Sequence, residues 1–180
     1  MQAELAELGY GLVDFSQPAD LYIINTCAVT GRSEYQSRQL IHRARNANPQ
    51  AFIVVTGCYA ETGRENLSRI PGVDLILGQG RKQRLKDYLT DLAKKSEPAV
   101  ITGEPEPCRD KIINGFPDHS RAYLKIQDGC NAACSYCIVP LARGRSRSQL
   151  WETICEQARR FIDAGYQDLA LLAPKPMLPL

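Results

Sequence analysis

Residues 21–56 read LYIINTCAVTGRSEYQSRQLIHRARNANPQAFIVVT. Two near-continuous apolar runs, 21–25 (LYIIN) and 51–56 (AFIVVT), flank a helical pattern over 32–46. A strand buried on both faces reads as an unbroken apolar run, and parallel neighbours need a helical crossover between them. The stretch therefore predicts a β–α–β unit in a parallel sheet covered on both faces. Working outward, strands are expected at 10–15 and 73–77. The end of an amphipathic helix is expected at 2–9, stopped by Gly9, and a weaker helical pattern at 61–69. A further helix is expected at 82–94, where Leu85, Tyr88, Leu89 and Leu92 recur at helical spacing. Residues 1–94 are thus expected to form one small α/β domain.

Between 95 and 120 the composition changes. Pro98, Pro105, Pro107, Pro117, Gly103 and Gly115 break any period, which predicts a linker. Regularity returns with an alternating strand pattern at 121–127 (RAYLKIQ), a helix at 150–164 and a buried strand at 168–173 (DLALLA). Residues 121–180 therefore contain a second β–loop–α–β unit. The fold class is α/β throughout. The last seven residues, PKPMLPL, continue no pattern.

The 180 residues are 44% hydrophobic and 23% charged, enough apolar material for a core, which excludes a chain dominated by disorder. No apolar run approaches the ~20 residues of a spanning helix, and no signal-peptide pattern opens the chain. A soluble cytoplasmic protein with no membrane partner is expected. The net charge of +2 is too small to imply nucleic-acid binding by itself. Seven cysteines, an odd number, do not suggest a disulfide framework. Their spacing has to say whether they mean metal, catalysis or burial.

The sharpest spacing is Cys130-Asn131-Ala132-Ala133-Cys134-Ser135-Tyr136-Cys137, a C-x3-C-x2-C loop between a strand and a helix. Three soft thiolates this close suit three corners of a [4Fe–4S] cluster, which leaves one iron open for a substrate. A structural zinc site is the alternative, but zinc usually takes four ligands in two separated pairs. His119 and His42 lie well outside the loop. Unrelated buried thiols are the other plain reading.

The loop resembles the cluster motif of radical S-adenosylmethionine (SAM) enzymes, C-x3-C-x-aromatic-C, with Tyr136 at the aromatic position. The resemblance implies that Cys130, Cys134 and Cys137 ligate a [4Fe–4S] cluster whose open iron chelates SAM. It also implies one-electron cleavage of the sulfonium to a 5′-deoxyadenosyl radical, with an electron donor of the flavodoxin type. Tyr136 would form a wall beside the adenine, or pack under the loop. The longer stretch KIQDGCNAACSYCIVPLARGRSRS, 125–148, resembles the methylthiotransferases. These carry a small N-terminal α/β domain with three cysteines for a second [4Fe–4S] cluster. Asn25-Thr26-Cys27-Ala28-Val29-Thr30 and Thr56-Gly57-Cys58-Tyr59 match the second and third, so Cys27 and Cys58 are expected as ligands; small core residues are the alternative. Cys108 and Cys155 match no motif.

Ala28-Val29-Thr30 resembles the branch acting on N6-threonylcarbamoyladenosine of tRNA. The isopentenyladenosine and ribosomal-protein branches, or a non-catalytic metal-binding remnant, are the rivals. Five basic residues (Arg121, Lys125, Arg143, Arg145, Arg147) against the lone acid Asp128 suit a tRNA partner. Arg143 and Arg145 are expected on the cluster or substrate side. The basic residues of the 32–46 helix (Arg32, Arg38, Arg43, Arg45) read as a solvated face.

Two departures from the family pattern shape the expectation. The family's first N-terminal cysteine, in a T-x-G-C-like turn before the first helix, has no counterpart. Residues 121–180 supply about one and a half of the six β/α repeats of the family's partial barrel. The chain is therefore expected to be a fragment of such an enzyme, with little turnover alone.

Overall fold

A computed structural model describes residues 2–89, 92–105, 107, 112–116 and 119–174. Two compact units divide the chain, 1–105 and 106–180. Cys108 lies outside the described residues, as do 175–180 of the expected patternless tail.

The first unit is a four-stranded parallel sheet in the order β1 (Leu21–Thr26), β2 (Phe52–Gly57), β3 (Leu75–Gly78), β4 (Ala99–Ile101). The crossover after β1 is α2 (Gly31–Ala47), following the short α1 (Gln2–Glu7). Every residue of β2 is buried, as an unbroken apolar run at the centre of a covered sheet should be. Phe52, Val54, Leu75 and Leu77 pack with Leu5, Leu85 and Leu89 on one face. Ile53, Val55 and Ile76 alternate to the other and are equally sealed from water.

Several expectations change in detail. Residues 10–15 form no strand: Leu12 and Val13 are exposed, and Asp14 closes a turn by accepting from the Ser16 amide at 2.9 Å. A short apolar run without a partner strand has nothing to satisfy its backbone in extended form. The weak pattern at 61–69 becomes two helices, α3 (Cys58–Thr62) and α4 (Arg64–Ser68), broken at Gly63. Gly63 lies under the Tyr59 ring, where a Cβ would come within 2.0 Å of Cε2. The helix expected at 82–94 is a 3₁₀ helix over Gln79–Tyr88, kinked at Arg84. Its leucines still do what their spacing predicts, since Leu85 and Leu89 enter the core and Leu92 packs against it. β4 falls inside the stretch read as a linker. It is too short and too exposed to show an apolar period, and it is recruited by pairing Leu75 to Leu77 with Ala99 to Ile101.

The second unit pairs β5 (Arg121–Lys125) with β8 (Asp168–Leu172) in parallel, with α6 (Trp151–Asp163) as the crossover. Ala122, Leu124 and Phe161 are its buried core. Residues 112–116, also read as linker, are fastened to this unit. The Gln157 amide accepts from Ile113 N and donates to Ile113 O, both at 2.7 Å. Tyr166 Oη accepts from Phe116 N at 2.7 Å and donates to Phe116 O at 2.8 Å. β8 was expected to be buried, yet Leu171 and Leu172 are exposed. Among the described residues β8 pairs only with β5. A third, two-stranded ribbon, β6 (Gln127–Asp128) against β7 (Arg147–Ser148), runs antiparallel and bounds the cysteine loop, which also contains α5 (Val139–Arg143).

Candidate cluster-binding site

The cysteine loop starts directly after β6. Pairing of Gln127 with Ser148 and Asp128 with Arg147 sets the two ends of the loop side by side. Gly129 turns at φ +69°, and a Cβ there would meet Arg145 O at 2.1 Å, so only glycine allows the approach. Cys130 N then donates to Gly144 O at 3.1 Å, and Ser146 N donates to Asn131 Oδ1 at 2.9 Å. Gln127 Nε2 donates to the Ser146 hydroxyl. Arg147 Nη1 donates to the carbonyls of Arg143 and Arg145 at 2.9 and 2.7 Å. Asp128 is buried at the base of this neck. Its Oδ1 accepts from Gly129 N at 2.9 Å and pairs with Arg143 at 3.4 Å, while Oδ2 pairs with Lys125 at 3.5 Å.

Above the neck, Cys130 and Cys137 are half-buried and Cys134 is exposed. A turn in which Cys137 N donates to Cys134 O at 3.1 Å ties the last two cysteines together. Ala132 N donates to Cys130 Sγ at 3.4 Å, the kind of N–H···S contact that stabilises a cluster-bound thiolate. The donor set of three soft thiols on one solvent-open loop fits an iron–sulfur cluster. Tyr136 is 91% exposed, so it does not pack under the loop. Arg145 is exposed as well, whereas Arg143 is held by Asp128.

The other two expected ligands stand on the first unit. The register pairs Thr26 with Gly57, so Cys27 and Cys58 directly follow paired residues at the C-terminal ends of adjacent parallel strands. Thr26 Oγ1 donates to Thr56 O at 2.6 Å, and Lys82 Nζ donates to Asn25 Oδ1 at 3.1 Å. Cys27 is exposed, and Cys58 is buried as the first residue of α3. One turn further, Glu61 has a buried Oε2 without a hydrogen-bond partner. Burial pushes the Glu61 carboxyl above its ordinary value, against the opposing pull of the Gln79 amide and Arg64. Gly78 leaves room for this side chain, since a Cβ would sit 2.2 Å from Oε2.

Among the described residues, no three His, Cys, Asp or Glu side chains are gathered as they would be around a single metal ion. A cubane spreads its ligands over separate iron corners, so its cysteines stand further apart than the ligands of one ion. Cys155 on α6 is half-buried and belongs to neither group. Asp128, Asn131 and Glu61 were not expected at these places. Asp128 had left a trace, as the one acid among five basic residues.

Residues 1–78 match the model of the uncharacterized protein family UPF0004. The chain is also 41% identical over 170 residues to the threonylcarbamoyladenosine tRNA methylthiotransferase MtaB of Bacillus subtilis (strain 168), which covers 92% of this chain and 37% of that protein. Over most of its length the chain is thus similar to part of a methylthiotransferase. The similarly named protein of Aquifex aeolicus (strain VF5) is 35% identical, over 95% of this chain and 42% of its own length. A tRNA-2-methylthio-N(6)-dimethylallyladenosine synthase of Moorella thermoacetica (strain ATCC 39073 / JCM 9320) is 31% identical, over 93% and 39%. The chain thus spans about two fifths of the length of these relatives. Among its described residues, no helix is long and apolar enough to cross a membrane.

Proposed function

We propose that the whole protein is a radical SAM transferase that adds a methylthio group to N6-threonylcarbamoyladenosine next to the anticodon of tRNA. The observation that carries this reading is the three-thiol loop, clasped between β5 and α6 in a chain whose relatives bear that activity in their names. Cys130, Cys134 and Cys137 would hold a [4Fe–4S] cluster. When bound there, such a cluster supplies an open iron for SAM and the electron that splits its sulfonium. Cys27 and Cys58, at neighbouring strand ends, would hold a second [4Fe–4S] cluster, the place of sulfur delivery. Tyr136, standing clear of the loop, is offered to the adenine of SAM. Arg143 and Arg145 flank Gly144 and are assigned to the cofactor or substrate side.

In this reading residues 1–94, with β4 added to their sheet, are the N-terminal domain, and 121–180, with 112–116 fastened to them, are the start of the radical SAM domain. tRNA is the substrate, a flavodoxin-type protein the electron donor, and the cytoplasm the place of action. Anaerobic reconstitution with iron and sulfide tests the assignment. The chain should develop charge-transfer absorption that Cys134→Ala loses in large part. Full absorption in that variant would sink it. The dimethylallyladenosine activity named for the Moorella relative is the second reading. Nucleoside analysis of tRNA from cells lacking the protein separates the two by which adenosine loses its methylthio group.

A further inference from the structure

We propose that Asp128 is the positioning residue of the cysteine loop and that Arg143 serves the cluster through it; this rests on the cluster ligation proposed above. Asp128 sits two residues before Cys130 and is buried. Three groups converge on its carboxylate: the Gly129 amide from the loop's entry strand, Lys125 from β5 and Arg143 from the loop's exit. The carboxylate therefore ties the strand, the entry and the exit of the loop at one point. The 2.9 Å bond from the Gly129 amide supplies direction, and the two ion pairs at 3.4 and 3.5 Å act through charge. The Gly129 amide leads straight into Cys130, so whatever orients it orients the first expected ligand.

The rest of the neck does not depend on Asp128. The Cys130–Gly144 and Asn131–Ser146 hydrogen bonds, the β6–β7 ladder and the Arg147 clip on two carbonyls would all remain in its absence. Loss of the carboxylate is therefore expected to loosen the aim of the loop and leave the fold in place. Residues that orient ligands from behind typically change metal affinity by about ten- to a hundredfold.

The test compares the wild-type chain with Asp128→Asn, Arg143→Gln and Arg143→Lys, each reconstituted without oxygen using iron and sulfide. Asp128→Asn and Arg143→Gln should bleach at about ten- to a hundredfold lower chelator concentration, with an altered electron paramagnetic resonance signal of the reduced cluster. Arg143→Lys keeps the ion pair and should restore most of the resistance. Thermal unfolding of the cluster-free chains should change little. Should Asp128→Asn fail to fold, Arg143→Gln, altered on the half-exposed side of the pair, decides the question. Wild-type chelator resistance and an unchanged signal in the variants would overturn this inference and leave the proposed function standing. Failure of the wild-type chain to take up any cluster would overturn both.

Discussion

At Gly57 the backbone turns at φ +102° while passing so close to β1 that a Cβ would lie 2.2 Å from Thr26 O and 2.9 Å from Asn25 Oδ1. A methyl group there must push two strands apart and hold a conformation that L side chains rarely adopt. Gly57→Ala is expected to destabilise the chain by about 2 kcal/mol or more, read from the urea midpoint. Glu61, four residues on, gives a pH effect of definite sign. Its folded carboxyl titrates above the unfolded one because burial disfavours the charge. The folded state therefore keeps a proton that the unfolded state has already released, and stability falls as pH rises through that window. Glu61→Gln should remove this fall. Its thermal midpoint should gain on that of the wild type as pH rises above the ordinary carboxylate range, about pH 4, and match it at the acid end. A parallel pH profile in the two proteins would contradict the assignment.

Among the elements, α2 is the best specified. Thr30 Oγ1 accepts from Ser33 N at 3.1 Å and Ser33 Oγ lies 3.1 Å from Thr30 N, so side chains at both positions close the first turn. Thr30→Ala is expected to cost about 1 kcal/mol in equilibrium unfolding, with Thr30→Ser near neutral. β3 has a different fastening. The buried Asp74 carboxylate accepts from Ile53 N at 2.8 Å and pairs with Lys94 at 3.0 Å. Asp74→Ala strands a buried amide and should cost about 3 kcal/mol, seen as a lowered thermal midpoint. These same elements show what could be read beforehand. β1, α2 and β2 were legible because continuous apolar runs and a helical period leave little choice of structure. β4 was not, since its three residues owe their extended form to β3 beside them. The 3₁₀ geometry of 79–88 was equally hidden, because leucine spacing reports which side is buried and not how tightly the backbone is wound. Cys130, Cys134 and Cys137 stood out by spacing, Cys27 and Cys58 only through the resemblance, whereas Asp128 acquired its meaning when the fold brought Arg143 beside it.

For the molecule as a whole, each unit has its own core, Phe52, Val54, Leu75 and Leu77 in one and Ala122, Leu124 and Phe161 in the other. Residues 1–105 expressed alone are expected to unfold in a single cooperative transition, followed by circular dichroism. A gradual, non-cooperative melt would show that this core is insufficient. The thiols of the two units also differ in access, and that difference has a practical outcome. Cys27 and Cys58 follow paired residues on adjacent strands, yet one is exposed and the other buried. Alkylation speed follows thiolate character and access. In the cluster-free chain, iodoacetamide should therefore mark Cys27 and Cys134 early and Cys58 late, as followed by peptide mass spectrometry. Oxidative damage in air should take the same order, so the outer cysteine of the strand-edge pair would be spent while its neighbour is still intact.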